Sequence, residues 1–228
     1  MRTLVILPKL QRTSTADQVV HLLRRQILGG EFLPGTALPE IPLATSLGVS
    51  RNTFREAMRT LAAEGLIRRS VHRGLTVADL ADEDVVEIFR IRRMLELAAA
   101  DVAQGSTAEE FAPLYQSVEN LRRAIVAGDW PAIVEHDLTF HRALISFLGS
   151  SRLEHFYWML LSELRLGFAF LDRSGGKPIQ LIPAQHEKLL NCLIHREQAQ
   201  ARKILNEHLD DSEARLRALL KSRLKQKK

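Results

Sequence analysis

The chain has almost no cysteine: Cys192 is the only one in its 228 residues. A single thiol excludes an intrachain disulfide framework and any cysteine-rich zinc knuckle, so a bound metal would have to rest on histidine and carboxylate. Long apolar runs are also missing. LVIL at residues 4–7 is the longest early one, far too short for the core of a signal peptide or for a transmembrane helix. The shortage predicts a cytoplasmic protein with no membrane partner. Disorder is disfavoured as well, since 46% of residues are hydrophobic and only 26% charged.

What is present divides the chain by charge. Residues 1–80 carry 11 Lys and Arg against 6 Asp and Glu, whereas residues 81–220 carry 16 against 21. The last eight, KSRLKQKK, add five cations and no acid, and read as a solvated helix end. A basic first unit joined to a mildly acidic larger one suggests a polyanion partner for the first and another task for the second. The length suits two compact units, each with its own core.

Local patterns give these units a shape. Residues 1–13 lack periodicity and are expected to form a mobile arm. Thr15 with Gln18 makes a capping-box pattern for a helix carrying Val19, Leu22, Leu23 and Ile27, stopped at Gly29 and Gly30. PGTAL makes a turn, a short helix covers residues 39–46, and Ser50 caps a third helix with Phe54, Ala57, Met58 and Leu61 on one side. After Gly65, LIRRS and LTVAD read as a hairpin turning around His72, Arg73 and Gly74. The remainder is helical. Asp82 caps a helix to about Gln104 that carries Val85, Ile88, Phe89, Leu95, Ala99 and Val102. Five more follow over about 107–127, 129–148, 151–172, 179–195 and 197–225, with RSGGKP as a loop. The expected fold class is mainly α: a winged helix-turn-helix at 14–80, then an all-α antiparallel bundle at 81–228, with interhelical space suited to a ligand.

Three helices, a tight turn before the third and a hairpin after it place DNA chemistry at the N-terminal end of helix three. SRNTFRE sets Ser50, Arg51, Asn52, Thr53 and Arg55 there, where free backbone amides meet phosphate and the first side chains reach base edges. Arg73 and Gly74, at the wing tip, can approach the adjacent groove or backbone. Any one of these arginines alone reads as a solvated helix surface. Together with the hairpin and the charge asymmetry they read as a double-stranded DNA interface.

The run LPEIPLATSLGVSRNTFREAMRTLAAEGLI, with RG soon after, resembles the GntR family of bacterial transcription regulators. The matching positions are Leu38, Glu40, Leu43 and Ala44, then Leu47 to Arg51, Arg55 to Met58, Glu64 to Leu66, and Arg73 with Gly74. The sequence departs from the family pattern at Ile41, where many members carry a DNA-contacting arginine, and at Asn52, Thr53 and Phe54. The resemblance implies a homodimer on a palindromic operator.

In the second half, Asp137 and His141 stand one helical turn apart in EHDLTFHRAL. Such a pair can hold two adjacent positions on a metal ion, which is half of a site or an accident of spacing. His186 and His208 are the remaining candidates. Each sits on an apolar helical face, where a hydrogen-bonded core histidine is the commoner finding. The other histidines, such as His21, His136, His155 and His195, read as surface residues.

The helical half is similar to the ligand domain of FadR-like GntR regulators, through Arg92, Leu95 and Glu96, Asp137 to Leu144, His186, and His208 with Leu209. That resemblance implies a metal site formed by Asp137, His141, His186 and His208. It would hold a divalent ion, Zn in first place and Ni or Mn as alternatives, with open positions for a small organic acid. Arg92, and after it Arg165, are the expected partners of the acid's carboxylate. For Arg92, an ion pair with Glu96 on the same helix competes with that role. The function expected is a repressor controlled by the acid. In the alternative reading the metal itself is the signal. A metal-dependent hydrolase ranks last, because no HExxH or comparable arrangement supplies a general base.

Overall fold

A computed structural model describes residues 14–70, 74–169 and 181–226. The arm at 1–13, Arg73 of the wing tip and the RSGGKP loop lie outside the described residues. The element order is α1 (Thr15–Leu28), α2 (Glu40–Ser46), α3 (Arg51–Ala63), β1 (Ile67–Ser70), β2 (Gly74–Val77), α4 (Asp82–Ala103), α5 (Ala112–Ala127), α6 (Trp130–Ile145), α7 (Ser151–Ala169), α8 (Leu181–Ile194) and α9 (Gln198–Gln226). Short 3₁₀ turns at Glu109–Phe111 and Ser146–Leu148 precede α5 and follow α6. A winged helix-turn-helix therefore leads into helices alone.

The head forms as its apolar periodicity dictates. Phe54, Ala57, Met58 and Leu61 of α3 bury against Val19, Val20, Leu23 and Ile27 of α1. The capping box of α1 is shifted by one residue from the expected pair. Ser14 Oγ accepts from Asp17 N at 3.0 Å, and Asp17 Oδ2 accepts in return from Ser14 N at 3.0 Å, because the extended backbone at Ser14 turns its hydroxyl toward the helix. The hairpin pairs Ile67 with Val77 through Ser70 with Gly74. The PGTAL segment does more than turn: Leu38 N donates to Leu75 O at 2.8 Å and Val77 N to Thr36 O at 2.9 Å, adding a third edge to the wing.

Helices α4 and α9 form one long pair, strapped by Asp82 with Arg217, Arg93 with Glu213 and Asp101 with Arg202. The amide of Ala81, the residue before α4, donates to Asp84 Oδ2 at 2.9 Å, so Asp84 rather than Asp82 caps the first turn. The inward stripe of α4 runs Val85, Ile88, Phe89, Arg92, Glu96, Ala99, Ala100 and Ala103. Two charged residues thus occupy its middle. Val102, expected inside, is 52% exposed, since the stripe passes through Ala103 instead.

Head and bundle meet along α7. Arg68 of β1 donates to Glu163 Oε2 at 2.8 Å and to the Asp79 carbonyl at 3.3 Å. Gly65 faces Ser162 and Glu163 of α7, where a Cβ would make only ordinary van der Waals contact at 3.6–3.8 Å; its φ of +71° is what favours glycine there. Gly167 lets α7 approach Leu216 of α9, where an added Cβ would fall 2.7 Å from a leucine methyl. One buried apolar cluster runs from α1 through Leu80 and Val85 into the bundle. Among the described residues, no helix is long and apolar enough to cross a membrane.

Candidate functional site

The exposed end of α3 is one of two polar constellations. Ser50 caps the helix, its Oγ accepting from Thr53 N at 3.1 Å and lying 2.8 Å from Thr53 Oγ1. Those two hydroxyls are occupied with each other, while Arg51, Asn52 and Arg55 stand exposed beside them. A depression between α2 and α3 is lined by Pro39, Glu40, Ile41, Arg51, Asn52 and Arg55. Ile41, where an arginine is common, is 53% exposed in it. Glu40 lies 3.8 Å from Arg55 and 3.9 Å from Arg69, so an acid stands between recognition helix and wing. Gly74 adopts φ +68° with open space around it, which fits a wing backbone free to approach a partner.

The second constellation is buried. On α6, the stripe Val134, Leu138, His141, Leu144 and Ile145 turns inward, with Asp137 at its edge. On α8, His186 shares its face with Leu189, Leu190 and Leu193, and on α9 His208 lies between Leu205 and Ser212. These stripes converge. One ligand atom from each of Asp137, His141, His186 and His208 lies within 4.8 Å of the others. His141 Nε2 is 3.1 Å from His208 Nε2 and 3.4 Å from His186 Nε2, and His186 Nε2 is 3.4 Å from Asp137 Oδ1. Two donors bound to one ion at about 2.1 Å stand about 3.0 Å apart at a right angle and about 3.4 Å apart at the tetrahedral angle. The spacing fits a metal ion.

Proton placement fits as well. His141 Nδ1 is 2.7 Å from Glu96 Oε2, and His208 Nδ1 is 3.2 Å from Gln185 Oε1. With both acceptors served by Nδ1–H, the two rings turn bare Nε2 lone pairs toward each other at 3.1 Å. Facing lone pairs repel unless positive charge sits between them. Burial, and then the neighbouring His186 and His141, hold the His208 imidazole well below its usual pKa, which favours the neutral, ligating form.

Around these four lies a charged frame. Burial alone would raise the Glu96 carboxyl, but Arg92, His141 and Tyr157 outweigh it and hold the pKa at about 2. Burial likewise works against the Arg92 guanidinium, and Glu96 with Tyr157 and Asp137 reverses this and raises its pKa. Burial pushes the Tyr157 hydroxyl well above its usual range, and Glu96 adds to it. Arg92 forms the ion pair with Glu96 that the sequence allowed as its competing role, yet its Nη2 is buried without a hydrogen-bond partner. Arg165 is 9% exposed, lies over the Trp158 ring at 4.7 Å and sits 3.0 Å from Glu135 Oε2. That approach to Glu135 is close enough for an ion pair but misaligned for a hydrogen bond, so Arg165 Nε and Nη2 count as unsatisfied. Sequence reasoning did not assign Tyr157 or Gln185 a part, and considered Glu96 only as a rival for Arg92. The i,i+4 spacing of Arg92 and Glu96 was a legible signal; nothing in the sequence marked the other two.

Residues 15–77 match the model of the bacterial regulatory proteins of the gntR family, and residues 87–211 match the FCD domain. The HTH-type transcriptional regulator YdhC of Bacillus subtilis is 30% identical over 174 residues, covering 75% of this chain and 77% of that protein. The gluconate operon transcriptional repressor of Bacillus licheniformis is 25% identical over 92% of this chain and 88% of its own. Among solved structures, a GntR transcriptional regulator from Rhodococcus sp. RHA1 superposes with a TM-score of 0.73 at 27% identity, covering 88% of this chain and 96% of that one. Members of this group are regulators and not enzymes, which removes the hydrolase reading. With a gntR-type head on an FCD domain, the chain belongs to the GntR family of transcription regulators.

Proposed function

We propose that the chain is a homodimeric, cytoplasmic repressor whose affinity for a palindromic operator is set by a small organic acid bound at a divalent metal ion. The unit at 14–80 binds DNA; the unit at 81–228 binds metal and effector and carries the dimer contact. The observation that supports this best is the convergence of Asp137, His141, His186 and His208 beside a buried guanidinium with a donor to spare. One carboxylate and three imidazoles suit Zn first and also Ni or Mn, and leave one or two positions open on a six-coordinate ion. When bound, the ion supplies the positive anchor for a carboxylate. Arg92, which feels the charge of Asp137 and whose own charge reaches His208, supplies directional hydrogen bonding to the same anion, with Arg165 as the second candidate. A relative that represses a gluconate operon makes a sugar acid a reasonable effector class.

In the head, Arg51, Asn52 and Arg55 read bases while Ser50 and Thr53 fix the helix end against phosphate. Arg73 and Gly74 carry the wing to the neighbouring groove. The effector acts only through different affinities for the DNA-competent and incompetent arrangements of the two heads. Native mass spectrometry with metal analysis tests the proposal. A dimer with one metal per protomer is expected, and Asp137→Ala should lose the metal while keeping DNA binding. Loss of DNA binding by Asp137→Ala would make the site structural, and a monomeric, metal-free wild type would end the proposal.

A further inference from the structure

Glu96 is buried completely, and its carboxylate joins three helices. Oε1 accepts from Arg92 Nε at 2.8 Å and from the Tyr157 hydroxyl at 2.5 Å, and Oε2 lies 2.7 Å from His141 Nδ1. A guanidinium can only donate, so Glu96 must be the acceptor on that side. The four side chains are at most 1% exposed, so bulk water does not compete for these bonds. The arrangement is more specific than stability requires. A buried Arg and Glu pair is weak evidence for stability, since well-packed apolar residues often replace such pairs without loss.

We infer that Glu96 is the positioning residue of the metal centre: its carboxylate fixes the tautomer and orientation of His141 and thereby sets the affinity for the ion. This rests on the metal reading of the four-residue cluster. With Nδ1–H committed to Glu96, only Nε2 of His141 is left for the ion, and Nε2 already stands 3.1 Å and 3.4 Å from its partners on α9 and α8. A negative acceptor behind the ring also makes Nε2 a better donor. Arg92 and Tyr157 hold the carboxylate in turn, so the ring's angle is fixed from α4 and α7 as well as from α6. His208 has a weaker version of the same device. Its acceptor is the neutral amide of Gln185, partly buried and at the longer distance of 3.2 Å.

The test is a competition titration of Co²⁺ against a chromophoric chelator, with the full chain and its visible spectrum as a second readout. Arg92→Met with Glu96→Gln removes both buried charges together. Glu96→Asp keeps the charge and withdraws the oxygen from His141. Each should bind Co²⁺ about tenfold to a hundredfold more weakly than wild type, with shifted visible bands. Gln185→Ala should lose less than either. A folded variant of either kind that keeps wild-type affinity and spectrum overturns the inference and leaves the metal reading standing. A wild type that takes up no Co²⁺ overturns both.

Discussion

In the head, Thr76 is the one buried polar residue among those described, and Arg51 and Arg55, assigned to DNA, are exposed. In the bundle the order is reversed: Arg92, Glu96, His141, His186 and His208 are all buried among leucines, and the outer face carries ordinary ion pairs. A surface interface can lose a side chain and keep its fold, because water solvates whatever remains. A buried constellation is tied to folding, because each polar atom in it that loses its partner costs stability with no water to replace it. The two regions should therefore respond differently to substitution, ligand and acid.

The largest expected effect belongs to the bundle. Zn²⁺ at a thousandfold excess over its dissociation constant should stabilise the folded chain by about 4 kcal/mol. Chelator should reverse this, and His141→Ala should abolish it, as read by thermal melting with and without metal. Melting curves indifferent to metal would break the comparison at its root.

Next come the head arginines. Arg51→Ala or Arg55→Ala should each cost about 1–3 kcal/mol of operator affinity in fluorescence titrations, with metal uptake unchanged. Surface substitutions of this kind move stability by no more than about 0.5 kcal/mol, so melting should hardly change. A large loss of melting temperature would place these side chains in the fold rather than at an interface.

The contact between the regions is expected to be weak. Arg68 and Glu163 pair in the open, at 47% and 37% side-chain exposure, so a double-mutant cycle should return only about 0.2–1 kcal/mol. A coupling well above that range would mean that head and bundle act as one rigid body.

Acid should produce the smallest response. The hydrogen bond from Arg217 holds the Asp82 carboxyl below its ordinary 3.8, despite some burial. A folded-state pKa below the unfolded one stabilises above the unfolded value and is lost as pH falls through the lowered one. Arg217→Ala should remove that acid-sensitive increment, visible as a flatter melting temperature below about pH 4. An unchanged acid limb would assign the strap no part in stability.

The head was legible because its signals are local. The apolar spacing of Phe54, Ala57, Met58 and Leu61, the cap at Ser50 and the hairpin are each decided within a few residues. Misses there were small: a cap at Ser14 instead of Thr15, and a turn segment that also pairs with β2. In the bundle, helix positions were readable within a few residues, and so was most of the inward face of α4, where Val85, Ile88, Phe89 and Ala99 are buried as expected. Val102 looks like core in the sequence but is exposed, and what the sequence did not show is that Arg92 and Glu96 share the buried face. Helical spacing alone could not say so, since burying two charges is favourable only when His141 and Tyr157 arrive from other helices to meet them.

The sequence by itself determined the elements, the charge contrast between the two regions, and the pairing of Asp137 with His141 one helical turn apart. Each follows from short-range spacing and side-chain chemistry. Only the tertiary structure decided that residues 137, 141, 186 and 208 stand within one ion's reach of each other. It also decided that Glu96 and Gln185 stand behind two of them. Those contacts join α4, α6, α8 and α9, and no local pattern fixes how helices so far apart in sequence are turned about their axes; packing does.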